Sequence, residues 1–265
     1  MPVIQEARSL AVFCDFENVA LGVREAKYSQ FDMDKVLERL LLKGSIVVKK
    51  AYCDWERYKE FKATMHAASF ELIEIPHLRQ SGKNSADIRM VVDALDLCYT
   101  KSHVDTFVIV SGDSDFSPLV SKLRENAKTV IGVGVKNSSS DLLISNCDEF
   151  IYYDDLVRAD EQKKRAAKKR RDTAPANGGA DKKQEAFDQM LGTLEALMAE
   201  RDADERIWGS MVKQALKRRN PGFNESYYGF RAFSDLLEEA EKKGLIKLEA
   251  DEKSGGYVVR PAQQG

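Results

Sequence analysis

The chain predicts an α/β fold, a three-layer sandwich around a mostly parallel sheet, followed by a small α+β module of winged-helix type. Three observations lead there. From Leu10 onward, short β-branched or apolar runs alternate with longer stretches of helical spacing, as parallel strands joined by crossover helices require. After Tyr153 the composition turns basic and then linker-like, with Pro175, Asn177, Gly178 and Gly179 close together. Beyond that stretch, helical patterns end in a short hairpin.

In order, the expected strands are 10–13, 45–52, 71–75, 106–110, 129–135 and 149–152. Between them, Val36, Leu37, Leu40 and Leu41 keep a helical spacing that Gly44 ends. Ile88, Val91, Val92 and Leu95 form a second helical stripe, read as the buried face of its helix. Pro118 suits the first turn of a helix after Asp115, where its missing amide proton costs little. In the last part, Phe187, Leu191, Leu194 and Leu197 mark one helix, residues 211–216 a second and 233–237 a third. Segments 245–248 and 257–259, turned by Ser254-Gly255-Gly256, make the hairpin. The expected divisions are an α/β domain at 8–157, a basic linker at 158–183 and a winged-helix domain at 184–261.

The 265 residues suit a domain of about 150 residues plus a smaller one. No apolar run approaches the roughly 20 residues of a membrane-spanning helix, and the first residues lack a secretory pattern, so a cytoplasmic protein is expected. Cys14, Cys53, Cys98 and Cys147 form no CxxC pair, and His66, His77 and His103 are scattered. Reduced, buried thiols are therefore expected and zinc is not. A net charge of -2 decides nothing alone, because the charge is unevenly distributed.

Acidic residues gather where predicted strands end, the place where open parallel sheets build ligand sites. Asp15 and Asn18 lie in Cys14-Asp15-Phe16-Glu17-Asn18, and Asp113 and Asp115 in Ser111-Gly112-Asp113-Ser114-Asp115-Phe116. Asp87 opens the helix after Lys83-Asn84-Ser85-Ala86. Each acid taken singly reads as a helix cap or turn residue. Together they would repel one another unless a cation neutralised them. Oxygen-only donors suit Mg²⁺ or Mn²⁺, which activates water and steadies charge on a phosphate, so phosphodiester hydrolysis is the expected reaction. Asp93 and Asp96 project away from Asp87 on its helix and are expected to be solvated.

These two stretches, with Asp87 and the late Asn146-Cys147-Asp148-Glu149-Phe150, resemble the NYN domain, a PIN-like nuclease family, over roughly residues 10–155. The resemblance implies a PIN-like sandwich in which Asp15, Asp87, Asp113 and Asp115 bind metal, with Asn18 as their polar partner in a ribonuclease site. Residues 184–260 are similar to the LOTUS, or OST-HTH, domain through Ile207-Trp208-Gly209-Ser210-Met211 and Tyr228-Gly229-Phe230-Arg231-Ala232-Phe233. That likeness implies a winged helix that binds RNA, in some members structured G-rich RNA, or docks a protein partner.

Lys83 and Lys136 are candidate RNA-backbone contacts near the acids. In the second module, Lys213, Lys217, Arg218 and Arg219 form an expected basic edge, and Tyr227, Tyr228 and Arg231 are candidates for stacking on bases. Trp208, Phe223, Phe230 and Phe233 are expected in the core. The basic run from Lys163 to Arg171 could neutralise phosphates. The competing expectations are an RNA-binding adaptor with a degenerate nuclease site and a phosphoryl-transfer enzyme acting on small nucleotides.

Overall fold

The computed structural model describes residues 8–28, 30–75, 85–161, 181–200, 205–251 and 256–262. It divides into two compact units, the first built on residues 8–40 and 44–161 and the second on residues 181–262 together with 41–43. Lys83, His77, the run 163–171 and the hairpin turn 252–255 lie outside the described residues.

The first unit runs β1 (Arg8–Asp15), α1 (Phe16–Glu25), α2 (Met33–Lys43), β2 (Gly44–Cys53), α3 (Lys59–Ala67), β3 (Glu71–Glu74), α4 (Ser85–Thr100) and β4 (Thr106–Val110). A 3-10 turn (Ser114–Phe116) then leads through α5 (Ser117–Glu125), β5 (Thr129–Gly134), α6 (Asp141–Asn146) and β6 (Glu149–Tyr152) to a last helix, α7 (153–161). The six strands form one sheet in the order β3-β2-β1-β4-β5-β6, every pair parallel. The order reverses direction between β1 and β4, which are paired with Cys14 opposite Val110.

Both faces of this sheet are covered, which explains why β1 and β4 are apolar without alternation. Leu10, Val12 and Cys14 pack on one side with Val19 and Val23 of α1, Val36 and Leu40 of α2 and Met65 of α3. Ala11 and Phe13 pack on the other with Met90 and Ala94 of α4 and Leu119, Val120 and Leu123 of α5. The result is the expected helix–sheet–helix sandwich of PIN-like type.

One stripe differs in part from expectation, for Val91 and Leu95 pack partly buried against the core but Ile88 and Val92 do not. On α4 the buried residues are Met90, Ala94 and Cys98, whereas Ile88 is 62% and Val92 54% exposed. The small side chains at 94 and 98 let the helix backbone approach the sheet closely, a fit that the β-branched face cannot make. Asp93 is not solvated either. It accepts hydrogen bonds from Tyr52 Oη at 2.8 Å and Arg89 Nε at 3.0 Å, and Lys50 Nζ lies 3.5 Å away. Burial pushes its carboxyl up, but Tyr52, Lys50 and Arg89 outweigh that and hold it below the usual range. This knot ties α4 to β2 less than two turns from Asp87.

The second unit holds α8 (Asp181–Ala199), α9 (Gly209–Arg219), α10 (Phe233–Lys242), β7 (Ile246–Asp251) and β8 (Gly256–Pro261), the last two paired antiparallel. An isolated bridge joins Trp208 to Val258 on the hairpin. Phe187, Met190 and Leu194 of α8, Val212 and Leu216 of α9, and Leu236 and Leu237 of α10 meet in its core with Phe223, Phe230 and Phe233. Three helices and a two-stranded wing match the expected topology. The four cysteines are free thiols, and among the described residues no helix is long and apolar enough to cross a membrane.

Candidate active site

The site is assembled where β1 and β4 end side by side. Phe16 starts α1 and drives its ring among Phe31, Trp55, Tyr58 and Phe61, with centroids 5.0–6.0 Å apart. This aromatic anchor fixes the preceding residue, Asp15, at the N-cap of α1. Asp15 Oδ1 accepts from the Asn18 backbone amide at 3.3 Å, and Oδ2 accepts from Ser111 Oγ at 3.0 Å. Ser111 Oγ in turn accepts from the Asp113 amide at 3.2 Å, so one hydroxyl couples the ends of both strands. Asn18 Oδ1 accepts from the Gly112 amide at 2.9 Å. Asp113 caps the following 3-10 turn, its Oδ1 accepting from the Asp115 amide at 3.0 Å.

Asp15 and Asp113 are therefore caps, as the simpler reading of the sequence had it, yet capping does not account for the environment of Asp15. A cap alone favours the ionised form. Asp15 is only 7% exposed, and burial first, then the charge on Asp87, raises its carboxyl to about 7, against the pull of Asn18 and Ser111. Asp87, in the first turn of α4, is raised to about 6 by partial burial and by the charges of Asp113, Asp115 and Glu17. Among the described residues, no Lys or Arg is a hydrogen-bond or ion-pair partner of Asp15, Asp87, Asp113 or Asp115. The four acids are thus brought into one electrostatic cluster, with Asp115 at its exposed edge.

Among the described residues no group of three His, Cys, Asp or Glu side chains forms a ready ligand cage. The donor set still fits a hard cation of the Mg²⁺ kind, which is commonly held by one or two carboxylates with waters and substrate phosphates completing its shell. A carboxyl raised by burial and by neighbouring acids is the electrostatic counterpart of such a site.

Three residues not singled out from sequence take part. Ser111 is fully buried and bonds both strands' acids; a serine at a strand end reads as a turn residue. Glu17 adds to the negative field at Asp87 while pairing with Arg57 at 3.1 Å. Gly112 donates to Asn18 and leaves room for the backbone of 138–139, whose Cα at 139 would lie 2.9 Å from any Cβ there. Two shallow grooves flank Ser114: one of about 420 Å³ bordered by Asn18 and 137–140, and one of about 600 Å³ bordered by Asp115, Pro118 and Leu142.

The family model of the NYN domain matches residues 9–154, which contain every acid of this cluster. The chain belongs to the NYN domain family. Within that PIN-like nuclease family it is similar to "Uncharacterized protein MJ0482" of Methanocaldococcus jannaschii, 28% identical over 143 residues that make up 54% of this chain and 56% of that protein. The chain thus spans little more than half the length of that relative. It also resembles the crystal structure of a protein of unknown function, VPA0982 from Vibrio parahaemolyticus, with 28% identity and a TM-score of 0.51, covering 57% of this chain and 96% of that one. The NYN fold is nuclease-type.

The remaining candidates are dispersed. Lys136 is exposed beside the NYN site, its amide bonded to Asp154 at 2.8 Å. In the second unit, Lys213 and Lys217 both pair with Glu225, at 3.0 and 3.7 Å, so the basic edge is partly neutralised from within. Arg218 and Arg219 are half-buried, with Arg219 Nη1 donating to Thr193 Oγ1 at 3.3 Å. Tyr228 corrects the expectation of base stacking: it is 7% exposed, its ring stacked on Phe223 with centroids 5.2 Å apart, which leaves it no free face. Its neighbour Tyr227 is 60% exposed, with Lys182 Nζ 4.6 Å from its ring centroid, and Arg231 is exposed.

Proposed function

We propose that the chain is a divalent-metal-dependent ribonuclease that hydrolyses RNA phosphodiester bonds, cutting with residues 8–157 and targeted by a LOTUS-like RNA-binding module at 184–261 across the linker 158–183. The observation that supports this reading most is the buried carboxyl of Asp15, raised to about 7 by burial and by the charges of Asp87 and Asp113. Asp15, Asp87, Asp113 and Asp115 would hold Mg²⁺ or Mn²⁺. When bound, such an ion supplies a water of lowered pKa and neutralises charge on the scissile phosphate. Ser111 orients Asp15 and the Asp113 backbone, and Asn18, its amide oxygen committed to Gly112, locks the β4 end against α1. Through Oδ1, Asn18 thus positions the end of β4. In the second unit, Tyr227, Arg231 and the Lys213–Lys217 edge offer an aromatic and cationic surface to RNA.

Cleavage of labelled single-stranded and structured RNAs by wild type and Asp113→Asn, with Mn²⁺, Mg²⁺ or EDTA, tests the reading. Metal-dependent cutting that disappears in the variant supports it. Among the described residues no three acids form a preformed ligand cage, which favours one rival, an RNA-binding adaptor. Tight RNA binding without cutting by either protein would establish that rival.

A further inference from the structure

The groove of about 420 Å³ beside the acids is walled by side chains of a different character from the acids themselves. Among the described residues its lining holds Asn18, Asn137 and Ser138–Ser140 and no Lys or Arg. Two of these side chains are spent on the fold: Ser139 Oγ donates to the Val135 carbonyl at 2.8 Å, and Ser140 Oγ accepts from the Leu142 amide at 3.2 Å. Three polar groups stay uncommitted among the described residues: Asn18 Nδ2, the Asn137 amide and the Ser138 hydroxyl. The orientation of Asn18 is not arbitrary, because Gly112 needs its Oδ1 as acceptor, which leaves Nδ2 as a donor.

The wall is also held firmly. A side chain on Gly22 of α1 would overlap Ser138 Oγ, and one on Gly112 would overlap the Ser138 carbonyl. The Ser140 amide donates to the Gly112 carbonyl at 2.9 Å. The loop after β5 is thereby seated against the β1–α1 and β4 junctions that carry Asp15 and Asp113.

We propose that this groove is the ribose subsite of the NYN unit, and that Asn18, Asn137 and Ser138 read a 2′-hydroxyl so that the acids receive RNA in preference to DNA. The inference rests on the nuclease reading above. Among the described residues the groove offers a phosphate neutral donors but no cation, and Asp113 on its rim repels it. An uncharged sugar can lie against the acids without that penalty. A 2′-hydroxyl both donates and accepts, and it is the group that separates RNA from DNA. A Nδ2 donor that lines the same groove as a hydroxyl and an amide, each able to do either, is a matching set.

The test uses the full chain in Ca²⁺ with one sequence made as RNA and as DNA, each carrying a photoreactive thiouracil. Irradiation is followed by mapping of the adducts. RNA is expected to label residues 136–140, and DNA to label them roughly fivefold less, the factor one net hydrogen bond supplies. The Asn137→Ala/Ser138→Ala double variant should lose that difference while adducts elsewhere persist. RNA adducts confined to other segments, equal labelling by both strands, or an unchanged difference in the double variant overturns the proposal. Cleavage of the same strands in Mn²⁺ is scored separately. An RNA-preferring groove in a protein that cuts nothing upholds the subsite and removes the nuclease reading, whereas equal cutting of RNA and DNA keeps the nuclease and overturns the subsite.

Discussion

Without a metal ion, the first unit is expected to lose stability as the pH rises from 5 to 8, and Asp15→Asn to abolish most of that loss. The Asp15 carboxyl moves from an ordinary 3.8 to about 7 on folding, so between these values the folded chain binds the proton that the unfolded chain has released. Stability then falls with rising pH, by about 1.4 kcal/mol per unit while the difference lasts. From pH 5 to about 7 this gives roughly 3 kcal/mol, or a fall in Tm of about 10 °C for a unit of this size. Asp87, raised to about 6 but only half-buried, adds at most about 1 kcal/mol near pH 5–6. Asparagine at 15 keeps the cap to the Asn18 amide and turns its Nδ2 toward Ser111 Oγ, which can accept. The substitution therefore removes the charge with little else. The assay is urea unfolding in EDTA across this pH range, followed by Trp55 fluorescence in a Trp208→Phe background; Trp55 is buried in the first unit's core. Flat or rising stability between pH 5 and 8, or the same slope in Asp15→Asn, would refute the reasoning. Mn²⁺ added at pH 8 should restore part of the loss through binding linkage.

Ser111→Ala strips a donor from buried Asp15 and an acceptor from the Asp113 amide, so it should cost about 1–3 kcal/mol and move the Asp15 midpoint above 7; the same titration measures both. Gly112→Ala forces a Cβ into the backbone of 138–139 and should cost at least about 2 kcal/mol, with faster hydrogen exchange at the Ser140 amide. Val92→Lys, on the exposed face of α4, should change stability by less than about 0.5 kcal/mol, and a loss several times larger would mean that this face is covered.

The strands were legible in the sequence because a sheet covered on both faces leaves nearly uninterrupted apolar runs; β4 and β6 lie at their expected bounds and the others within a few residues. The α4 helix was harder. It carries two apolar faces, and the larger β-branched one, with Ile88 and Val92, outweighed Met90, Ala94 and Cys98 in the pattern although the smaller residues pack on the sheet. Asp93 looked solvated because nothing local announces a tyrosine 41 residues away in the chain; its partners Tyr52 and Lys50 come from β2. The acids of the NYN site could be read as motifs. What joins them could not, since the Ser111 hydroxyl matters only once β1 and β4 are neighbours. Tyr228 and Tyr227 are adjacent and chemically alike, and only the packing of Phe223 separates the core residue from the surface one.

The bond between Asp15 and Ser111 closes a span of 96 residues, and that between Asn18 and Gly112 a span of 94. Contacts of such long range form after local helices and turns, because the intervening chain must first give up its freedom. A polypeptide still emerging during synthesis therefore carries Asp15 long before it has anything to set beside it. The acid cluster comes into being only when the central strands pair, so the capacity for chemistry is timed to the completion of the sheet.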